Sequence, residues 1–134
     1  MTEQYSALSC LIIPFSRAME ACNIDGKQAL KACGIDILAL QDQEARISSQ
    51  KFNFLVDYCN QKLDSNDFSI QVAKQFHPGM FHVLGYAMMS SGSLKDALAR
   101  IVKYKQVLSN SSELSLIEDG SDLIFNMNLF TRLD

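Results

Sequence analysis

The sequence predicts an α+β fold: a mainly helical N-terminal two thirds followed by a C-terminal antiparallel β-hairpin, the hairpin being part of a larger sheet that is incomplete in this chain. Three observations lead there. Apolar residues recur at helical spacing from about residue 14 to residue 108. Breakers such as Asn23, Gly34, Asp64 and the Pro78-Gly79 pair cut that stretch into short segments. Beyond residue 112 the period falls to two, the spacing at which side chains alternate between the faces of a strand.

Taken in order, Pro14 suits the start of a first helix over 14–22, since the first turn makes no use of the N–H that proline lacks. Proline also disfavours helix in the residue before it, so the preceding residues are expected to form an extended arm. Phe15, Ala18, Met19 and Cys22 share the buried face, and residues 23–26 stop the helix. A short helix follows over 27–33. Gly34 fits the left-handed position just past its end, and residues 37–40 form one more apolar turn. These small pieces do not make a DNA-reading helix-turn-helix, because the second is too short for a recognition helix and carries no basic residue to meet phosphate.

Ser48 or Ser49 caps a longer helix to residue 63, with Phe52, Leu55, Tyr58 or Cys59, and Leu63 as its buried stripe. Asp67 is expected to cap the next, which places Phe68, Val72 and Phe76 on one face and ends at His77-Pro78-Gly79. A mostly apolar helix over 80–89 follows. Ser93 then caps an amphipathic helix whose Leu94, Leu98, Ile101, Val102 and Leu108 oppose Lys95, Arg100, Lys103 and Lys105. Last, Leu123, Phe125, Met127 and Leu129 alternate with Asp122, Ile124, Asn126 and Asn128, and residues 113–118 supply the partner strand across a turn at 118–121. A two-stranded hairpin is marginal alone in water and its edges invite another strand. Residues 131–134 hold no closing turn, so the sheet is expected to continue beyond this chain or to pair with a second copy.

A length of 134 residues fits a single domain over 1–134, large enough to bury a core without staples. The net charge of -3, with no Lys/Arg cluster, is not the footprint of a nucleic-acid surface. The longest apolar run, 11–15, is far short of the roughly 20 residues that cross a bilayer. No secretion signal opens the chain, and a cytoplasmic location with no membrane partner is expected. Cys10, Cys22, Cys33 and Cys59 lie 12, 11 and 26 residues apart with no C-x-x-C pair, which reads as buried thiols and not as zinc ligands. His77 and His82 straddle the Pro78-Gly79 break, so they form no i, i+4 ligand pair and no third ligand accompanies them. No nucleophile elbow, P-loop or dinucleotide fingerprint is present. No catalytic residue, metal or cofactor is therefore expected, and the chain does not read as an enzyme.

Informative residues concentrate between Phe76 and Tyr86, where aromatics, both histidines and a Pro-Gly break precede a glycine inside an apolar helix. Gly85 costs about 1 kcal/mol against alanine there, which implies close packing. Phe81, His82, Tyr86 and Met89 are the candidate ligand-binding residues: they would line a mostly apolar pocket with a few polar anchors. Ordinary core packing is the competing reading of the same residues.

The succession of motifs resembles the arabinose-binding-type N-terminal domain of AraC/XylS-family transcription regulators. It is carried by Ala32-Cys33-Gly34-Ile35-Asp36, by Ala45-Arg46-Ile47, by His77-Pro78-Gly79, by Leu84-Gly85-Tyr86-Ala87, by Ser93-Leu94-Lys95-Asp96-Ala97-Leu98 and by Lys103-Tyr104, in order over about residues 13–130. The resemblance implies a cytoplasmic bacterial regulator. Its N-terminal domain binds a small-molecule effector, mediates homodimerisation, or does both, and a C-terminal pair of helix-turn-helix motifs outside this chain binds promoter DNA. The chain departs from that pattern by stopping in the sheet region, and it has no Trp and no evident sugar-stacking platform, so arabinose does not follow. The alternative is a stand-alone dimerisation module with no small-molecule ligand.

Overall fold

A computed structural model describes residues 5–130, apart from the side chains of Ala39 and His82. The elements are β1 (Ser6–Leu8), α1 (Ile12–Ala21), α2 (Gly26–Ala32), β2 (Arg46–Ser48), α3 (Ser49–Leu63), α4 (Phe68–Lys74), α5 (His82–Met89), α6 (Leu94–Leu108), β3 (Ser112–Asp119) and β4 (Asp122–Leu129). Short 3-10 turns occupy Ser9–Leu11, Ile37–Gln41 and Pro78–Phe81. The expected order, helices first and an antiparallel hairpin last, is the order found.

Helix ends follow from backbone groups that need partners. Three helices close with a residue of positive φ just past the last turn, Asn23 after α1, Gly34 after α2 and Asp64 after α3. In each, the next N–H reaches back to close the turn: Ile24 to Met19 at 2.8 Å, Ile35 to Leu30 at 2.9 Å and Ser65 to Asn60 at 3.2 Å. At the starts, the Ser48 hydroxyl accepts from the Lys51 N–H at 3.3 Å and the Ser93 hydroxyl from the Asp96 N–H at 3.1 Å, as the sequence predicts.

Local expectations need correcting at three places. The first helix begins at Ile12, not Pro14, which puts the proline third in the helix; an N–H there still has no intrahelical acceptor, so its absence is harmless. Asp67 sits at the start of α4 but its side chain makes no capping bond. Asn60, reaching over from α3, accepts the Phe68 N–H at 3.1 Å instead. The arm expected before the first helix is extended only over β1, a 3-10 turn follows it, and β1 is paired: it runs antiparallel to β2, Ala7 opposite Ile47.

Across its other edge β1 bridges Ala7 to Ser109, and the Asn110 N–H donates to the Ser6 carbonyl at 3.2 Å. The N-terminal strand therefore meets the chain just before the hairpin. Arg46 locks this junction. Its Nε donates to Ser6 Oγ at 2.8 Å, one terminal nitrogen to the Ser6 carbonyl at 3.0 Å and the other to the Val107 carbonyl at 3.1 Å, at the end of α6. A planar guanidinium serves several acceptors at once, which an ammonium could not do with the same geometry.

Two apolar clusters form the interior. The larger joins α1, α2, β2, α3 and α4 through Ile12, Met19, Leu30, Ile47, Leu55, Cys59 and Phe68. Phe68 is fully buried, and burying a side chain of that size contributes about 1.5–3 kcal/mol. The smaller gathers Cys10, Met80 and Phe81, with Leu8, Leu11 and Leu108 packed against it. Gly85 is where α5 meets the turn before it: a Cβ there would stand 1.7 Å from the Pro78 carbonyl oxygen. The close packing expected at this glycine is present.

The hairpin runs in register from Ser112 opposite Leu129 to Asp119 opposite Asp122. One face carries Leu114, Leu116, Leu123, Phe125, Met127 and Leu129, and the other is mostly Glu, Ser, Asp and Asn around the Ile117–Ile124 pair. A Lys95–Glu118 ion pair ties α6 to β3.

Candidate functional site

Between the two apolar clusters lies a cleft of about 370 Å3. Leu11 comes to it from the turn before α1, Pro14 and Phe15 from the start of α1, and Ser49, Phe52 and Asn53 from α3, where the spacing of three and four puts them on one helix face. Val72, Ala73 and Phe76 close it from α4 and the residues just after, and Phe81 from the turn before α5. The sheet side supplies Ala7, Ser109, Ser111 and Leu129. Two ring pairs shape its walls: Phe15 and Phe52, with centroids 5.4 Å apart, and Phe76 and Phe81, 4.8 Å apart. Phe76 and Leu129, 47% and 49% exposed, stand at its mouth.

Among the described residues the lining holds no carboxylate, imidazole, thiol, amine or guanidinium. These residues offer neither a general acid or base nor an activated nucleophile. What it can do is take up an apolar body and orient it with a few neutral polar groups, the usual build of a small-molecule site. Two roomier recesses are less suited. One of about 500 Å3 is lined by Asp57, Asn60, Gln61, Asp64, Ser65 and Asn66, and one of about 520 Å3 by Lys27, Lys31, Gly34, Asp36 and their neighbours. In the first, polar groups are open to water, so a ligand would exchange one set of hydrogen bonds for another with little net gain; the second is a more open surface recess, with Ile35 and Ile37 beside its charged side chains.

Of the sequence-based candidates, Phe81 is 9% exposed and forms part of the cleft wall. Tyr86 and Met89, 67% and 50% exposed on α5, are not among the lining residues. The His82 side chain lies outside the described residues. The remaining aromatic walls, Phe15, Phe52 and Phe76, read in the sequence as members of buried helix stripes; periodicity reports that a face is covered but not whether protein or a ligand covers it. His77 is held locally, its Nδ1 accepting the Gly79 N–H at 3.0 Å.

Three of the four thiols, Cys10, Cys33 and Cys59, are buried, Cys22 is half-buried, and all four are free. Burial pushes the Cys59 thiol up to about 12, with a further push from Cys33 and Cys22. Such a thiol stays protonated and unreactive at neutral pH. Among the described residues no cluster of three or more His, Cys, Asp or Glu is placed to hold a metal ion. No helix among them is long and apolar enough to cross a membrane.

A comparison with protein-family models matches residues 24–131 to the arabinose-binding domain of AraC transcription regulators, N-terminal. The chain belongs to that family. No curated protein gives a significant match. The AraC-type domain is a regulatory, ligand-sensing part of a transcription factor and not an enzyme. In this AraC-type chain the matched stretch takes in most of the cleft wall, from Ser49 to Leu129, together with the Arg46 junction.

Proposed function

We propose that this chain is the N-terminal effector-sensing and self-association domain of a cytoplasmic bacterial regulator, that its small-molecule effector occupies the 370 Å3 cleft, and that occupancy governs promoter binding by a C-terminal pair of helix-turn-helix motifs. One observation carries the reading: the cleft is lined by residues from both ends of the fold, Phe15, Phe52 and Phe76 from the helical body and Ser109, Ser111 and Leu129 from the sheet side. A molecule bound there touches both parts, so it binds one arrangement of them better than another and shifts the population by that difference in affinity. Phe81, the wall residue shared with the sequence-based set, contributes to the grip.

Ala73→Trp tests the reading, because Ala73 is an exposed residue of the lining and an indole there fills the space without disturbing the core. In a screen by thermal unfolding, an effector at a hundredfold its Kd stabilises the protein by about 2.7 kcal/mol. That stabilisation, and the effector response of the full-length regulator, is expected to vanish in Ala73→Trp. A variant that folds and responds as the parent does refutes the site.

A dimerisation module without a ligand is the second reading. It draws on the hairpin face, where Phe125, Met127 and Leu129 are 37%, 57% and 49% exposed, and on Leu94 and Val107 of α6, 74% and 61% exposed. A concentration-dependent dimer in sedimentation, insensitive to every compound that shifts unfolding, favours it. The coding sequence past the Asp134 codon separates the two as well: two helix-turn-helix motifs with basic recognition helices are expected on the first reading.

A further inference from the structure

The composition of the cleft wall limits what can occupy it. Among the described residues its lining side chains carry no formal charge, and the polar ones are Ser49, Asn53, Ser109 and Ser111. The last two are engaged with each other, their hydroxyl oxygens 2.8 Å apart. Asn53 is different: no hydrogen bond among the described residues engages its side-chain amide. Ser49 lies one helical turn before it on the same face of α3, so together they offer one polar anchor on an otherwise apolar wall.

Resting on the reading of the cleft as the effector site, we infer that it takes a neutral, mainly apolar molecule with one hydroxyl or carbonyl group, a single ring system or a short chain, and rejects carboxylates and sugars. The apolar body lies between the Phe15–Phe52 and Phe76–Phe81 pairs, and its polar group meets Asn53 and Ser49. A carboxylate there gives up its hydration with no counter-charge among the described residues of the wall. A sugar brings several hydroxyls to a wall with one open anchor, and each hydroxyl left without a partner costs affinity. At about 370 Å3 the cleft is near the small end of ligand pockets, about 300–1,000 Å3, which fits a compact molecule.

The test uses the whole chain and three probes: 2-naphthol, its isostere 2-naphthoate, and L-arabinose. The chain has no Trp, and naphthalene fluorescence excited beyond tyrosine and tryptophan absorption reads binding directly in the parent and in Ala73→Trp alike, while arabinose is followed by its effect on thermal unfolding. Naphthol is expected to bind at least about tenfold more tightly than naphthoate, with no shift from arabinose. Ala73→Trp should abolish naphthol binding, and Phe76→Ala, at a half-exposed rim position, should weaken it severalfold without unfolding the protein. Asn53→Lys, which sets a cation at the anchor, should narrow or reverse the preference toward naphthoate. Binding of naphthoate or arabinose equal to that of naphthol, and lost in Ala73→Trp, overturns the ligand class while leaving the cleft as the site. Binding that Ala73→Trp does not touch, or no binding of any probe, overturns both.

Discussion

Replacing Gly85 with alanine sets two effects of opposite sign against each other. Within a helix such as α5, alanine is favoured over glycine by about 1 kcal/mol, so propensity alone would raise the melting temperature. Against this, the new Cβ would stand 1.7 Å from the Pro78 carbonyl oxygen and 2.7 Å from its carbon. The shorter distance is less than half the ~3.5–4.0 Å of an optimal contact. The obstacle is backbone, so no rotamer change relieves it and the turn at Pro78–Phe81 must move away from α5. That turn carries Met80 and Phe81, 7% and 9% exposed in the smaller cluster, and moving it unpacks them. Overpacking costs about 1–3 kcal/mol, and a backbone obstacle under a packed cluster sets the cost at the upper end, about 3 kcal/mol. After the propensity gain of about 1 kcal/mol is subtracted, a net loss of about 2 kcal/mol is expected. For a chain of this length each kcal/mol is worth about 3–5 °C, so Tm should fall by roughly 6–10 °C. Thermal unfolding followed by far-ultraviolet circular dichroism, with urea unfolding beside it, measures the effect. A Gly85→Ala protein as stable as the parent or more so refutes the close approach.

Further expectations follow from the same contacts. Asn60→Ala should cost about 1 kcal/mol through loss of the Phe68 cap, while Asp67→Ala should cost much less; the reverse order in urea unfolding would return the cap to Asp67. Arg46→Ala removes the bonds to Ser6 and Val107 and should cost about 1–3 kcal/mol, and Arg46→Lys should recover little of it, since an ammonium cannot span the same acceptors; full recovery with lysine would reduce the role to simple charge. The Cys59 thiol, raised on folding from an ordinary 9.0 to about 12, favours the native state fully below pH 9 and loses that contribution as pH climbs toward 12. Stability should therefore drop over that window by up to about 1.4 kcal/mol per pH unit from this thiol, and Cys59→Ala, though less stable at neutral pH, should show the shallower alkaline slope. Equal slopes would contradict a buried neutral thiol.

Much of the architecture was legible because it rests on local rules. The Ser48 and Ser93 caps, the left-handed Gly34 and the alternation from Leu123 to Leu129 each follow from what a few neighbouring residues can do with their own backbone. Gly85 was legible for a related reason: a glycine at a cost inside an apolar helix implies a close neighbour, and Pro78 is that neighbour. The misread cap at α4 shows the limit, since the acceptor came from Asn60 on another helix and no rule confined to the residues around Phe68 finds it.

The sequence by itself determined the order of helices and hairpin, the apolar face of each element, and, through the succession of its motifs, the regulator family. Only the tertiary structure decided that a three-residue strand at Ser6–Leu8 pairs with Arg46–Ser48, a unit too short to show a period. Only it decided that Phe15, Phe52, Phe76 and Phe81 meet around one cleft with Ser111 and Leu129 across from them. The physical reason is the same in both cases. Periodicity records which side of an element is kept from water, and that side looks alike whether it packs against protein or faces a space left for a ligand.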